Sequence, residues 1–314
     1  MLAGGAPGFA DSNTPSARQW QGTALGARAN MTLYHPDADA ARAAIGQARA
    51  EIERLERIFS LYRAGSALSR LNRDGVLTAP PLELVQLLSQ AETISVLTGG
   101  AFDVTVQPLW RLYAEHFAQA DADPDGPNDA VLAATLRLVD HRALRIDSDR
   151  IAFDKPDMAV TLNGIAQGYI TDRVALLLRA AGFERVLIDL GEIRALGRHP
   201  DGRPWSAGIA DPANGDKLIE ELALDERALA TSAGAGTRFD RAGRHHHLLD
   251  PRRGRSMSGF ASVSVLAPTA ALADGLSTGF SGMSAQAIAQ VCRSLPKVRA
   301  ITLDHGGRLA LIEA

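Results

Sequence analysis

Asp274 and Thr278 stand four residues apart in LADGLSTGF. On a helix that spacing puts both side chains on one face, about 5–6 Å apart at their roots. A carboxylate and a hydroxyl converging this way can hold a hard cation such as Mg²⁺, which takes oxygen ligands and keeps several waters. A solvated helical face has the same spacing. Gly275, Gly279 and Gly282 beside the pair add weight to a ligand or a second backbone passing close, because glycine is costly inside a helix. A second group is Asn163-Gly164-Ile165-Ala166-Gln167-Gly168-Tyr169, a glycine-containing entry to an amphipathic helix. Unpaired N–H groups and the helix dipole favour a diphosphate at such an entry, and Gly164 would let its own carbonyl reach a metal. The spacing is neither a Rossmann fingerprint nor a Walker loop, and a plain capped helix is the competing reading.

The run His245-His246-His247-Leu248-Leu249-Asp250-Pro251 offers imidazoles. In a strand, neighbouring side chains face opposite ways, so at most His245 and His247 share a side and a three-histidine metal site is disfavoured. One imidazole in a cleft can serve as a general base near neutral pH; a surface histidine run is the alternative. Thr98-Gly99-Gly100-Ala101-Phe102-Asp103 reads as a turn presenting an aromatic ring and a carboxylate. Within Ser60–Asn72, Tyr62 offers a flat apolar face with a polar tip, suited to a heteroaromatic ring. Each of these last two also fits an ordinary turn or helix end.

The elements that must position these residues can be read from periodicity. Alternation at Leu25, Ala27, Ala29, Met31 and Leu33 predicts a strand. Asp37 or Asp39 can cap a helix with Ile45, Ala48, Ile52, Leu55 and Phe59 inward. Pro80-Pro81 opens a second helix burying Leu84, Leu87, Leu88, Ala91 and Ile94, ended by Gly99-Gly100. Residues 120–128 are polar and turn-rich, a loop or boundary. Short strands are expected at 143–146 and 150–153, then a helix capped by Thr161 or Asn163 and stopped by Gly182. Val186–Leu190 reads as a buried strand, 205–266 as short strands between turns, and 270–283 and 285–295 as helices. A hairpin at 300–303 and 309–312 closes the chain, with Gly306-Gly307 at its turn. Strands and helices mix without regular β-α-β alternation, which predicts an α+β fold.

Composition bounds the function. The 314 residues are 46% hydrophobic, 22% charged and 5% aromatic, a globular profile. The balance of 33 basic and 36 acidic side chains gives no positive field that would mark nucleic acid as a partner. The lone Cys292 excludes an intrachain disulfide framework and a thiolate zinc cluster. No apolar run is long enough to span a membrane. Residues 1–20 read as a disordered segment, and Met1–Ala10 as either the tail of an export signal or a frayed terminus.

In combination and in order, FSLYRAGSALSRLN, TGGAFDVTVQPLW, LNGIAQGYITDRV, DLGEIRALG, HLLDPRRG and SVSVLAPTAALADGLST resemble the ApbE family of FAD:protein FMN transferases over roughly residues 21–312. The resemblance makes residues 21–314 one flavin transferase domain of α+β class, with mixed sheets, packed helices and an FAD cleft between two lobes. It implies a periplasmic enzyme that moves FMN from FAD to a threonine or serine hydroxyl of a target flavoprotein and releases AMP, with Mg²⁺ at the pyrophosphate. Asp274 and Thr278 match the family's metal-ligating pair, with the Gly164 carbonyl completing the site. Tyr62, Ala101, Phe102, Asp103, Gln167 and Leu248 match FAD-contacting positions, and His247 matches the candidate base. Thr161 stands where the family commonly has an acidic FAD contact and Gln167 where it has lysine. Gly191-Glu192 replaces a double glycine, and Gln21-Gly22-Thr23 an early Met-Gly-Thr. The LNGIAQGY variant resembles the branch associated with nitrous-oxide reductase maturation, whose target would be a membrane flavoprotein. Alternatives are an FAD pyrophosphatase giving FMN and AMP, a non-catalytic FAD-binding maturation protein, and an α+β ligand-binding protein with no flavin role.

Overall fold

The computed structural model describes residues 16–313. The described chain enters as a hairpin, β1 (Ser16–Ala24) and β2 (Ala27–His35), turned at Leu25-Gly26, where both residues have positive φ. The expected unstructured segment 1–20 is therefore corrected at its end. An edge strand with almost every side chain exposed carries no apolar alternation to read. The rest of that segment, with the export-signal reading of Met1–Ala10, lies outside the described residues.

Asp37 caps α1 (Ala38–Phe59), accepting from the N–H groups of Asp39 and Ala40. The helix buries Ala48, Ile52, Leu55 and Phe59, while Ile45 is only half-buried. Ser66 caps α2 (Ala67–Asp74), a helix that the Ser60–Asn72 reading missed. After β3 (Val76–Thr78) comes α3 (Leu82–Leu97), which buries all five expected positions from Leu84 to Ile94. Two further unanticipated helices follow, α4 (Gln107–Phe117) and α5 (Asp129–Leu136). Strands β4 (Leu144–Ile146) and β5 (Arg150–Phe153) complete a small antiparallel sheet in the order β3-β5-β4.

Helix α6 (Ala166–Ala180) starts later than its expected cap. Neither Thr161 nor Asn163 caps it; the Thr161 hydroxyl instead accepts the Asn163 N–H at 3.2 Å. The second half supplies β6 (Val186–Asp189), β7 (Ile193–Leu196), the ribbon β8 (Trp205–Asp211) and β9 (Asn214–Leu224), then β10 (Ala228–Ala233) and β11 (Ser262–Ala267). Helices α7 (Ala270–Phe280) and α8 (Ala285–Ser294) and the hairpin β12 (Arg299–Leu303) and β13 (Leu309–Ile312) follow.

The main sheet has the order β1-β2-β6-β7-β10-β11-β12-β13, antiparallel throughout. The fold is thus α+β, as expected. One sheet face packs on the helices, with Leu55, Leu88, Ile170, Leu276 and Val263 in a single core. The other meets the β8–β9 ribbon through Trp205, Ile209, Leu229 and Leu266. Strand β11 is buried at every position because both its faces are covered. Among the described residues no helix is long and apolar enough to cross a membrane.

Candidate active site

Helices α6 and α7 approach closely enough that a Cβ at Gly168 would stand 2.4 Å from the Ala270 carbonyl oxygen. Asp172 of α6 fixes this contact by accepting the Ala270 and Ala271 N–H groups, each at 2.9 Å, at the start of α7. One turn further along, Asp274 reaches back, its Oδ2 accepting the Gly168 N–H at 3.1 Å. Thr278 lies a turn beyond, against Gly164, where a Cβ would sit 2.9 Å from its Oγ1. Asp274 and Thr278 thus share a face with Gly164 opposite. Asp274 is buried and Thr278 half-buried, and both line a cavity wall.

The cavity holds about 280 Å³ and gathers Ala101, Phe102, Asp103, Thr161, Gly164, Gln167, His247, Leu248, Asp274 and Thr278. Tyr62 is not among its lining residues. It is 82% exposed and flanks a neighbouring groove of about 490 Å³, which shares Trp110 and Asn163 with the cavity.

The three histidines diverge because Leu248-Leu249 is not a strand; residues 237–258 run as turns with two isolated bridges. His245 packs on Tyr113 and Phe117. The ring of His246 meets the Met257 carbonyl at 2.9 Å. Only His247 lines the cavity. Its Nδ1 lies 3.1 Å from the Thr237 carbonyl oxygen. A carbonyl only accepts, so Nδ1 carries the proton and the neutral ring keeps a lone pair on Nε2. Burial lowers the His247 pKa, against the pull of that carbonyl. The ring is therefore neutral at pH 7.

The carboxylates of the wall differ. Asp103 caps the turn Val104–Val106, with Oδ1 accepting from Thr105 N–H at 2.8 Å and Thr105 Oγ1 at 2.6 Å. Its Oδ2 accepts the His141 N–H at 2.9 Å. Asp274 has the single Gly168 bond among the described residues. Burial pushes its pKa up to about 7, opposed by that N–H and aided by the charge of Asp172. Glu192, also in the wall, was noted in the sequence only as a departure from glycine. Burial first, then the charges of Asp274 and Asp189, hold its carboxyl well above the ordinary range, against the Thr231 N–H. A carboxylate directly after a glycine at the end of a buried strand is the signal that could have found it.

Among the described residues no three His, Cys, Asp or Glu side chains converge as a metal-binding group. A cation on Asp274 would draw on the Thr278 hydroxyl, the Gly164 carbonyl and water or substrate oxygens to complete its shell, a donor set suited to Mg²⁺.

Comparison with known proteins agrees over nearly the whole chain. The ApbE family model matches residues 25–302. A protein of Vibrio cholerae named FAD:protein FMN transferase is 32% identical over 265 residues, 81% of this chain and 78% of that protein. One of the same name from Salmonella typhimurium is 27% identical over 292 residues, covering 89% and 82%. The solved structure of the flavin transferase ApbE from Vibrio cholerae superposes with a TM-score of 0.78 at 27% identity, covering 94% of this chain and 97% of that one. The ApbE protein of Thermotoga maritima superposes at 0.82 and 25% identity, covering 94% and 96%. On its sequence and its fold alike, the chain belongs to the ApbE family.

Proposed function

We propose that the chain transfers FMN from FAD to a threonine or serine hydroxyl of an acceptor flavoprotein, with release of AMP, in a Mg²⁺-dependent reaction. The observation that carries this reading is the meeting of Asp274, Thr278, Gly164 and His247 in one cavity. Relatives with the name FAD:protein FMN transferase support it. The Asp274 carboxylate, the Thr278 hydroxyl and the Gly164 carbonyl would hold Mg²⁺. When bound, the ion draws charge from the pyrophosphate oxygens. Ala101, Phe102 and Leu248 form an apolar stretch of wall suited to a flavin ring, with Asp103, Thr161 and Gln167 beside it. Tyr62, on the adjoining groove, offers a further flat face.

His247 accepts the acceptor hydroxyl's proton on Nε2, since an unassisted hydroxyl is a weak nucleophile. The hydroxyl oxygen bonds to the FMN-side phosphorus. The bond from that phosphorus to the bridging oxygen breaks, and its electron pair leaves with AMP. Such a transfer needs mainly alignment and charge stabilisation, so few catalytic side chains suffice. The reading also sets the reaction in the periplasm, with a membrane flavoprotein of nitrous-oxide reductase maturation as acceptor. Fractionation of cells expressing the natural gene tests the compartment.

The deciding experiment combines the chain with FAD, Mg²⁺ and candidate acceptor subunits. In-gel flavin fluorescence and a mass gain of one FMN are expected, both abolished by EDTA. Free FMN and AMP forming without any acceptor would make the chain a pyrophosphatase, and no AMP under any metal condition would make it non-catalytic.

A further inference from the structure

Glu192 takes no part in the reaction described above, yet the fold builds it into the wall beside the metal-site residues. It is 8% exposed, and its buried Oε2 finds no hydrogen-bond partner among the described residues. It lines the same cavity as Asp274 and Thr278. The turn that presents it is closely held. Gly191 has φ of 102°, and a Cβ there would also stand 2.5 Å from Gln167 Nε2. The Glu192 carbonyl accepts the Leu190 N–H at 3.2 Å and the Thr171 hydroxyl at 3.4 Å.

Burying one carboxylate without a partner is costly, and a second in the same cavity adds repulsion. A fixed cation would relieve both, but among the described residues no Lys or Arg lines the cavity. The neutral imidazole of His247 does not supply one. What remains is a proton or a cation from solution, and the two compete for the same oxygens. Hard divalent ions take six or more oxygens, so Asp274, Thr278 and Gly164 leave room for another protein donor.

We propose that Glu192 supplies a second carboxylate, through Oε2, to the divalent cation site built on Asp274, and that the site therefore binds its ion before FAD arrives. Two carboxylates neutralise a divalent ion outright, so affinity in the FAD-free protein does not depend on the pyrophosphate. The inference rests on the assignment of Asp274 and Thr278 as metal ligands in the transferase reading.

The test titrates Mn²⁺ into the FAD-free full chain and follows the free ion by electron paramagnetic resonance. The wild type is expected to bind one Mn²⁺. Glu192→Gln, nearly isosteric, should weaken binding by at least about 10–100-fold, the loss already seen when a group that only orients a metal ligand is removed, while its metal-free Tm stays level or rises. Glu192→Gly, which removes the buried group entirely, should show the same loss and serves if the Gln variant misfolds. Binding by Glu192→Gln within twofold of the wild type would overturn the proposal, as would wild-type binding that appears only once FAD is added. Absence of Mn²⁺ binding by the wild type even with FAD would instead remove the metal assignment of the transferase reading.

Discussion

Asp103 and Asp274 line one cavity and are both deeply buried, at 7% and 4% exposure, but their oxygens have opposite surroundings. Both oxygens of Asp103 are engaged, by the Thr105 N–H and hydroxyl and by the His141 N–H. Among the described residues Asp274 receives one N–H, and Glu192 Oε2 receives none. A carboxylate whose acceptor capacity is filled by its own fold holds a turn in place. One left short of donors, in a cavity that no Lys or Arg lines among the described residues, is poised for a cation from outside. Among these carboxylates hydrogen-bond satisfaction, and not nearness to the cavity, marks which would take the proposed cation.

The strongest way to break this contrast is Asp274→Asn. A Lewis-acid cation contributes several kcal/mol to a transition state, and each 1.4 kcal/mol is a factor of ten. FMN transfer should fall on the order of 10⁴-fold, measured as covalent flavin formed per unit time at saturating Mg²⁺. Near-wild-type transfer would sever Asp274 from the metal. His247→Ala should cost somewhat less, about 10³-fold, within the range for a lost general base. FAD affinity, read by flavin fluorescence quenching, should barely change, because in the proposed reaction the Nε2 lone pair serves the acceptor hydroxyl and not the dinucleotide.

Asp103→Ala tests the other side. Its loss leaves the Thr105 N–H and the His141 N–H without their acceptor and uncaps the Val104–Val106 turn, at a cost of about 3 kcal/mol of folding stability. Denaturant melts should register that loss while Mn²⁺ affinity holds. Asp274→Asn should do the reverse, sparing or raising metal-free stability and abolishing metal binding. If both variants lost stability equally, the division between satisfied and unsatisfied carboxylates would be without content.

Much of this was visible in the sequence, for a reason that also explains what was hidden. Positions Leu84 to Ile94 repeat with a helical period and bury one face, and Asp37 announces its helix by side-chain chemistry. The four-residue spacing of Asp274 and Thr278 placed them on one face once α7 formed. Local patterns of this kind survive folding. Strand β1 offers no such pattern because its side chains face solvent. The α6 cap misled because Thr161 spends its hydroxyl on the Asn163 N–H. The divergence of His245, His246 and His247 depends on long-range partners, from Phe117 to Met257, which no window of sequence contains. Glu192 was hidden similarly: its lack of a partner is a property of the whole cavity.

The smallest expected effect is a pH dependence of the metal-free fold. Burial raises the Asp274 pKa from 3.8 to about 7 in the folded chain, so between those values the native state keeps a proton that the unfolded chain has released. The native state then binds more protons than the unfolded one, and stability falls as pH rises through this window. At 1.4 kcal/mol per unit for one fully differing site, tapering towards pH 7, the loss between pH 5 and 7 is about 2 kcal/mol, or a few degrees in Tm. Other acids have lowered values, Asp140 and Asp240 among them, and act in the opposite sense. The quantity to measure is therefore the difference between wild type and Asp274→Asn across pH, taken without metal. That substitution also removes the push of Asp274 on Glu192, so the difference reports the pair. A divalent ion should invert the trend, stabilising the wild type more at pH 8 than at pH 5.5, since it competes with the proton for the same oxygens. A metal-induced gain in Tm that is flat across that range would mean the ion binds elsewhere.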